Sequence, residues 1–188
     1  ALQFMHLMPY IDSLWFGEGF DYHGGSPDYW LVEASGIPFG LMGDMLGEGH
    51  LWRGMLYGMV ARPPGGSTGT DVWKLWDAIG IQNATMVGFW DSNAPVRSSC
   101  GNTLATSYVL KGRRTLVAIA SWAPDWQEEI CQLEIDWKAV GLNPRRSLLR
   151  TPDLGPAAPA PAEEALRAEE GYTPRIRVSG NGGLMVVL

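Results

Sequence analysis

Basic residues are scarce in this chain of 188: 14 Lys and Arg stand against 20 Asp and Glu, for a net charge of -6. A surface that tracks nucleic-acid phosphates or an anionic membrane needs a basic patch. The adjacent pairs Arg113-Arg114 and Arg145-Arg146 are too sparse to form one, so neither nucleic acid nor a membrane is expected as a partner. Histidine and cysteine are scarce too. His6, His23 and His50 are the only histidines, and none pair at i, i+4; Cys100 and Cys131 are the only thiols and have no short spacing. That excludes the usual Cys-based zinc site, and neither a metal nor a cofactor is expected. The two thiols could form one disulfide or none. No Lys-Ser/Thr follows a glycine-rich loop, no G-x-S-x-G is present, and Cys100 has no obvious histidine partner. Phosphate-loop and Ser or Cys nucleophile chemistry are thus unsupported. No apolar run is long enough to span a bilayer. There is no signal peptide, the first residue is Ala, and the chain opens inside an apolar run. A fragment of a longer protein, or a processed product, is expected.

What the chain does have is apolar and aromatic material. It is 46% hydrophobic and carries nine Trp, six of them before Pro95, so it can bury a core. The organising stretch is Tyr10–Tyr22, YIDSLWFGEGFDY. Ile11–Phe16 has the form of a strand buried on both faces. It breaks at Gly17-Glu18-Gly19, with Asp21, Tyr22 and His23 just beyond. A glutamate between two glycines is a poor packing residue. It is either a solvated turn or a carboxylate at the carboxyl end of a strand, where barrel enzymes keep their sites.

Further along, Ser26-Pro27-Asp28 has the signature of a helix start: a Ser cap, Pro at the first position and an acid in the first turn. A helix Pro27–Ser35 would stop at Gly36. Ile37–Gly43 is apolar and runs into Asp44. Tyr57–Ala61 is a further apolar stretch, and Pro63–Gly66 a loop. The stripe Val72, Leu75, Trp76, Ile79 predicts a second helix. Ala84–Trp90 is a third apolar strand candidate, ending at Asp91. Strands alternating with helices predict βα units on a parallel sheet, whose carboxyl ends would bring Glu18, Asp44 and Asp91 to one rim.

The pattern changes near Pro95. Asn102–Leu110 and Arg114–Ala123 are β-rich and joined by the hairpin signal Lys111-Gly112-Arg113. Ile130–Trp137 alternates with Cys131, Leu133, Ile135 and Trp137 on one side. Leu154–Glu164 is Pro/Ala-rich and reads as an extended linker. Arg175–Ser179 and Leu184–Leu188 are the last strands. The expected organisation is α/β plus all-β: βα units over 1–98, then a small antiparallel β-sandwich over 99–188.

Carboxylate chemistry is what remains. Cleaving a glycosidic bond takes an acid and, in most families, a second carboxylate within about 5–9.5 Å. Asp12 is six extended residues from Glu18, roughly 20 Å, and is the wrong partner. Glu18 and Asp91 are therefore the catalytic candidates, with Asp21, Tyr22, Trp90 and Arg53 as substrate-binding candidates. Trp15 has the opposite parity to Glu18 and is expected to pack outward against helices.

The segments DSLWFGEGFDY, DYWLVEASGIPFGLMGDML, WRGMLYG, VWKLWDAIGI and GFWD together resemble uncharacterised proteins related to glycoside hydrolase family 123. The tail TLVAIASWAPDWQEEICQLEIDWKAVGL resembles the β-sandwich that follows the catalytic barrel there. The resemblance implies the last units of a (β/α)8-type barrel, a β-sandwich, and hydrolysis of a carbohydrate. It also implies a missing N-terminal part of the same protein. Family 123 is known for β-N-acetylgalactosaminidases in which an Asp-Glu pair orients the substrate's acetamido nucleophile. This chain has no Asp-Glu dipeptide, so that pair would lie upstream. A non-catalytic carbohydrate-binding module and a structural module are the alternatives.

Overall fold

A computed structural model describes residues 2–17, 19–46, 49–59, 61–62, 67–154, 162–165 and 173–188. The chain begins with a small parallel sheet. Strand β1 (Ser13–Trp15) pairs with β2 (Met42–Leu46) in the register Ser13↔Met42 and Trp15↔Asp44. The two-residue β3 (Ala61–Arg62) runs parallel to β2, giving the order β1-β2-β3. Strand periodicity splits the side chains between two faces. Leu14 and Met45 are buried on one; Ser13, Trp15 and Met42 lie exposed on the other.

The β1–β2 connection is helical, as parallel pairing requires. Helix α1 (Pro27–Tyr29) starts where expected, with Ser26 Oγ accepting from the Tyr29 amide at 3.2 Å. It continues as a π-helical turn, Trp30–Ala34, which buries Trp30 completely. Gly36, at φ 67°, ends it. Ile37–Phe39 is then a 3-10 turn and not part of a strand. Pro38 has no amide for a sheet ladder, and Gly36 and Gly40 are both left-handed. The strand consequently starts at Met42, which places Asp44 inside β2 and not at its tip. Helix α2 (Leu51–Leu56) follows and buries Met55 and Leu56. Helix α3 (Ser67–Ile79) begins earlier than its apolar stripe suggests and closes at Gly80, φ 79°.

The third apolar run departs from expectation. Strand β4 (Thr85–Val87) pairs antiparallel with β6 (Thr103–Leu110), so it belongs to the antiparallel half. An apolar run announces burial but carries no information about strand direction. Strand β7 (Arg114–Ser121) forms the expected hairpin with β6 around Gly112, φ 73°. Together with β9 (Leu148–Thr151), β10 (Ala162–Ala165) and β12 (Gly183–Val187) these build a six-stranded sheet, β10-β9-β12-β7-β6-β4. Residues 155–161 of the expected linker lie outside the described residues; 162–164, also assigned to it, are strand. A second sheet has the order β11-β8-β5, from β5 (Val96–Ser98), β8 (Glu128–Ile135) and β11 (Arg175–Ser179). Strand β8 alternates as read, Cys131 and Leu133 inward, Gln132 and Glu134 outward. Trp137 instead opens a short helix, α4 (Trp137–Val140), capped by Asp136.

The six-stranded sheet is a middle layer. One face, with Val117, Ile119, Leu184 and Val186, meets Val96, Cys131, Leu133 and Val178 of the smaller sheet. The other, with Leu116, Ala118, Tyr108 and Met185, meets Met55, Leu56 and Val72 of the helices. Cys100 and Cys131 form a disulfide, with Cα atoms 5.4 Å apart. Among the described residues no helix is long and apolar enough to cross a membrane.

Candidate active site

Because β1 and β2 are parallel, the segments leaving their carboxyl ends emerge on the same side. Gly17, at φ 83°, turns the chain out of β1. Asp21 then builds the next bend, its Oδ1 accepting from the amides of His23 and Gly24 at 3.0 Å each. A Cβ on Gly24 would collide with the Asp21 carboxylate, so this bend requires glycine there. Beyond β2, His50 caps α2, its Nδ1 accepting from the Arg53 amide at 3.2 Å.

The two segments meet. Arg53 Nη1 donates to the His23 carbonyl at 2.6 Å, and the His23 and His50 rings stand 5.4 Å apart, edge to face. The antiparallel half closes over them. His50 Nε2 donates to the Asn181 carbonyl and side-chain oxygen, both at 3.0 Å. Arg53 lies 4.6 Å from the centre of the Trp122 ring, and Trp122 Nε1 donates to the Gly25 carbonyl at 3.0 Å.

Electrostatics follow from this packing. With Nδ1 accepting and Nε2 donating, His50 is the neutral tautomer. Burial, with the nearby Arg53 charge second, pushes its pKa down to about 4. Arg53 is only 4% exposed and its Nε has no partner. Burial works against its charge, and the fields of Tyr57, Asp125 and Asp21 support it.

Residues 1–64 match the family model for the glycoside hydrolase 123 TIM-barrel domain, and residues 68–188 match that for the glycoside hydrolase 123 C-terminal domain. The chain belongs to glycoside hydrolase family 123. No curated protein and no solved structure matches it. Family 123 is a family of glycoside hydrolases, so the substrate class is carbohydrate. Its TIM-barrel match contains all three parallel strands and the whole β1–β2 rim.

Set in that family, the sequence-predicted residues separate into groups. Glu18 lies outside the described residues. Asp21 and Arg53 lie near each other, the Asp21 charge supporting the Arg53 cation, with Asp21 committed to its turn; Tyr22 is instead buried among the Phe20 and Trp30 rings. Asp91 does not join them: it follows the antiparallel β4, its Oδ1 accepts from the Asn93 amide at 2.8 Å, and its carbonyl accepts from Arg97 at 2.9 Å. A common rim for Glu18, Asp44 and Asp91 is therefore corrected, because Asp44 is within β2 and Asp91 is in a turn of the other half. Trp90 is half-buried, stacked on Tyr57 at 5.6 Å with the two rings nearly parallel. Gly88 makes room for it, since a Cβ there would lie 2.3 Å from the indole. One ring face is thus already occupied.

Two residues were misread from sequence. Trp15 does not pack outward against helices; it is 51% exposed, on the face opposite Leu14. Asp44, its register partner, is half-buried beside it. Parity alone told which residues share a face with Trp15, but not which face the helices cover. His50 and Trp122 were also missed, since their roles depend on partners more than 90 residues away.

Proposed function

We propose that this chain is the carboxyl-terminal part of a glycosidase: the last βα units of a (β/α)8-type barrel followed by a β-sandwich. The substrate binds over the carboxyl ends of β1 and β2. The observation that carries this reading is the convergence of the two post-strand segments, His23 against Arg53 and His50, at one end of a parallel sheet inside the region that matches the TIM-barrel domain. That end is where barrel enzymes act. Glu18, immediately beyond β1, is the acid or sugar-hydroxyl acceptor. Asp21 and Arg53 shape the rim. Tyr22, Trp90 and Asp91 are left with their packing and turn roles.

Among the described residues β1 has no partner on its outer edge, and Trp15 and Met42 are exposed on one face of the same sheet. Upstream strands of the same protein would complete the sheet. The isolated chain is expected to be inactive and prone to aggregate, because an open edge beside apolar surface is an association site.

The test is hydrolysis of aryl glycosides, beginning with 4-nitrophenyl N-acetyl-β-D-galactosaminide, by the full-length parent and its Glu18→Gln variant. The variant should lose roughly 100-fold or more in kcat, the usual scale for removing acid–base help. An unchanged kcat removes Glu18 from the mechanism. Sugar binding with no turnover by the parent would favour a carbohydrate-binding module instead.

A further inference from the structure

The connection between β7 and β8 carries an exposed indole at its tip. The Gln127 amide donates to the Pro124 carbonyl at 2.9 Å, closing a turn with Asp125 and Trp126 at its centre. Trp126 is 83% exposed, the most of any tryptophan among the described residues, and no ring or hydrogen-bond partner meets it there. Turn centres ordinarily take Gly, Asn, Asp or Ser, each for a backbone reason. Tryptophan offers the turn no such reason, and leaving its apolar faces in water forgoes their burial. Yet the turn is firmly held. The Gly180 amide donates to the Gln127 carbonyl at 2.6 Å, and the Asn181 amide to the Ala123 carbonyl at 2.8 Å. A Cβ on Gly180 would collide with the Pro124 carbonyl, so the β7–β8 and β11–β12 connections touch backbone to backbone.

Both connections reach the candidate active site. Asn181 accepts from His50, while Trp122, four residues before Trp126, bonds Gly25 and supports Arg53 on its ring. The charge of Asp125, exposed beside Trp126, favours the Arg53 cation. Gly25 and Arg53 lie in the segments that follow the carboxyl ends of β1 and β2. The turn is therefore anchored at the strand ends, and not along the outer edge of β1 where upstream strands would add. An aromatic ring fixed beside a carboxylate suits a sugar, whose apolar face stacks on the indole while a hydroxyl donates to the acid. Because the turn is already ordered, binding there loses little to immobilisation.

We infer that Trp126 is the platform of an outer subsite, on which a second sugar ring of an oligosaccharide substrate stacks, with Asp125 accepting from that ring's hydroxyls. The inference rests on the glycosidase reading above for its ligand class. It adds a contribution from the antiparallel half that the reading does not use, and it makes the substrate longer than a single sugar.

The test is steady-state kinetics of the full-length parent on two substrates. Methyl N-acetyl-β-D-galactosaminide offers the subsite no ring; the 1,4-linked disaccharide of the same sugar on galactose offers it one. Trp126→Ala should cost the disaccharide about 10-fold more in kcat/KM than it costs the methyl glycoside. Its Tm should match the parent's, because the side chain is exposed. Trp126→Phe keeps a ring and should recover part of the difference. Asp125→Asn should show the same bias at about 3-fold, and an unbiased result removes the carboxylate from the subsite. Equal costs on both substrates from Trp126→Ala, or none on either, overturn the inference. Titration calorimetry with the disaccharide separates the two readings. A parent that cleaves neither substrate but binds the disaccharide in a Trp126-dependent way sinks the glycosidase and keeps the subsite. Turnover of the disaccharide with Trp126→Ala indistinguishable from the parent sinks the subsite alone. A parent that neither cleaves nor binds overturns both.

Discussion

Strand β7 in the antiparallel half is buried over Thr115–Ser121 on both faces, whereas β1 in the parallel half runs exposed, buried, exposed. The contrast extends to what surrounds each. The six-stranded sheet has a core on either side and a disulfide joining the smaller sheet to the turn after β5. The parallel sheet is packed on one side only, and its open side holds Trp15, Met42 and the half-buried Asp44. A closed region can supply rigidity; an open one leaves aromatic surface such as Trp15 to solvent. The two are fastened through His50–Asn181 and Trp122–Gly25, so the finished half holds the working half in place.

The most severe way to break that comparison is to loosen the finished half. Removing the Cys100–Cys131 bond frees a 31-residue separation, and the loop-entropy relation gives about 3–4 kcal/mol. For a chain of this size that is roughly 6–16 °C in Tm. Calorimetry of the Cys100→Ser/Cys131→Ser double variant checks it. A drop under 2 °C would show that the antiparallel half owes its rigidity to its cores alone.

Next in size is acid. The folded-state pKa of His50 is about 4, below the usual 6.5 of the unfolded chain. The unfolded state therefore binds the extra proton first as pH falls. The stabilisation is fully present above pH 6.5, is lost progressively between 6.5 and 4, and amounts to on the order of 3 kcal/mol. Urea midpoints at pH 7.0 and 4.5 would record it, and His50→Gln, which keeps a donor for Asn181, should flatten this part of the profile. An equal pH dependence in the variant would place the acid sensitivity elsewhere.

How much of this contrast was legible beforehand varies by residue. The Ser26-Pro27 helix start, the Gly112 hairpin and the inward Cys131 and Leu133 of β8 are local rules, and local rules survive folding. The direction of β4 is not local: Ala84–Trp90 has the same apolar character whether its neighbour runs parallel or antiparallel. The position of Asp44 turned on Pro38, which ends one apolar run and delays the strand to Met42. Trp15 shows the limit of periodicity, which pairs it with Ser13 on one face but leaves open which face faces helices. Arg53 was read as a rim residue without its Trp122 and His23 partners, which arrive only with the tertiary fold.

Two glycines sharpen the comparison on a smaller scale. Gly43→Ala would press a Cβ to 2.5 Å from the Ala34 carbonyl, on the packed side of the parallel sheet. Gly88→Ala would press one to 2.3 Å from the Trp90 indole, in the turn after β4. Overpacking costs typically 1–3 kcal/mol. The Gly43 change should sit at the upper end, because a backbone carbonyl cannot move aside without shifting its helix, whereas an indole can rotate. Denaturant midpoints for the pair decide it. If Gly88→Ala proves the costlier, the stack of Trp90 on Tyr57 matters more than the seating of β2 on its helix.

The smallest effect is the most informative about the fastening between the halves. Trp122→Phe removes the Nε1–Gly25 bond and keeps a ring beneath Arg53. That bond is exposed, so water replaces it readily and the stability loss should be about 0.5 kcal/mol. Trp122→Leu also removes the ring face under a cation that is 4% exposed, and the further loss is about 0.5–2 kcal/mol. The Leu variant should also detach the bend at Asp21–Gly25 from the antiparallel half, so amide exchange at Gly24 and Gly25 should rise, with that at Ala118 and Ile119 unchanged. Equal exchange at all four positions would mean that the halves are held by apolar packing between β7 and α2, and that the polar fastening contributes little.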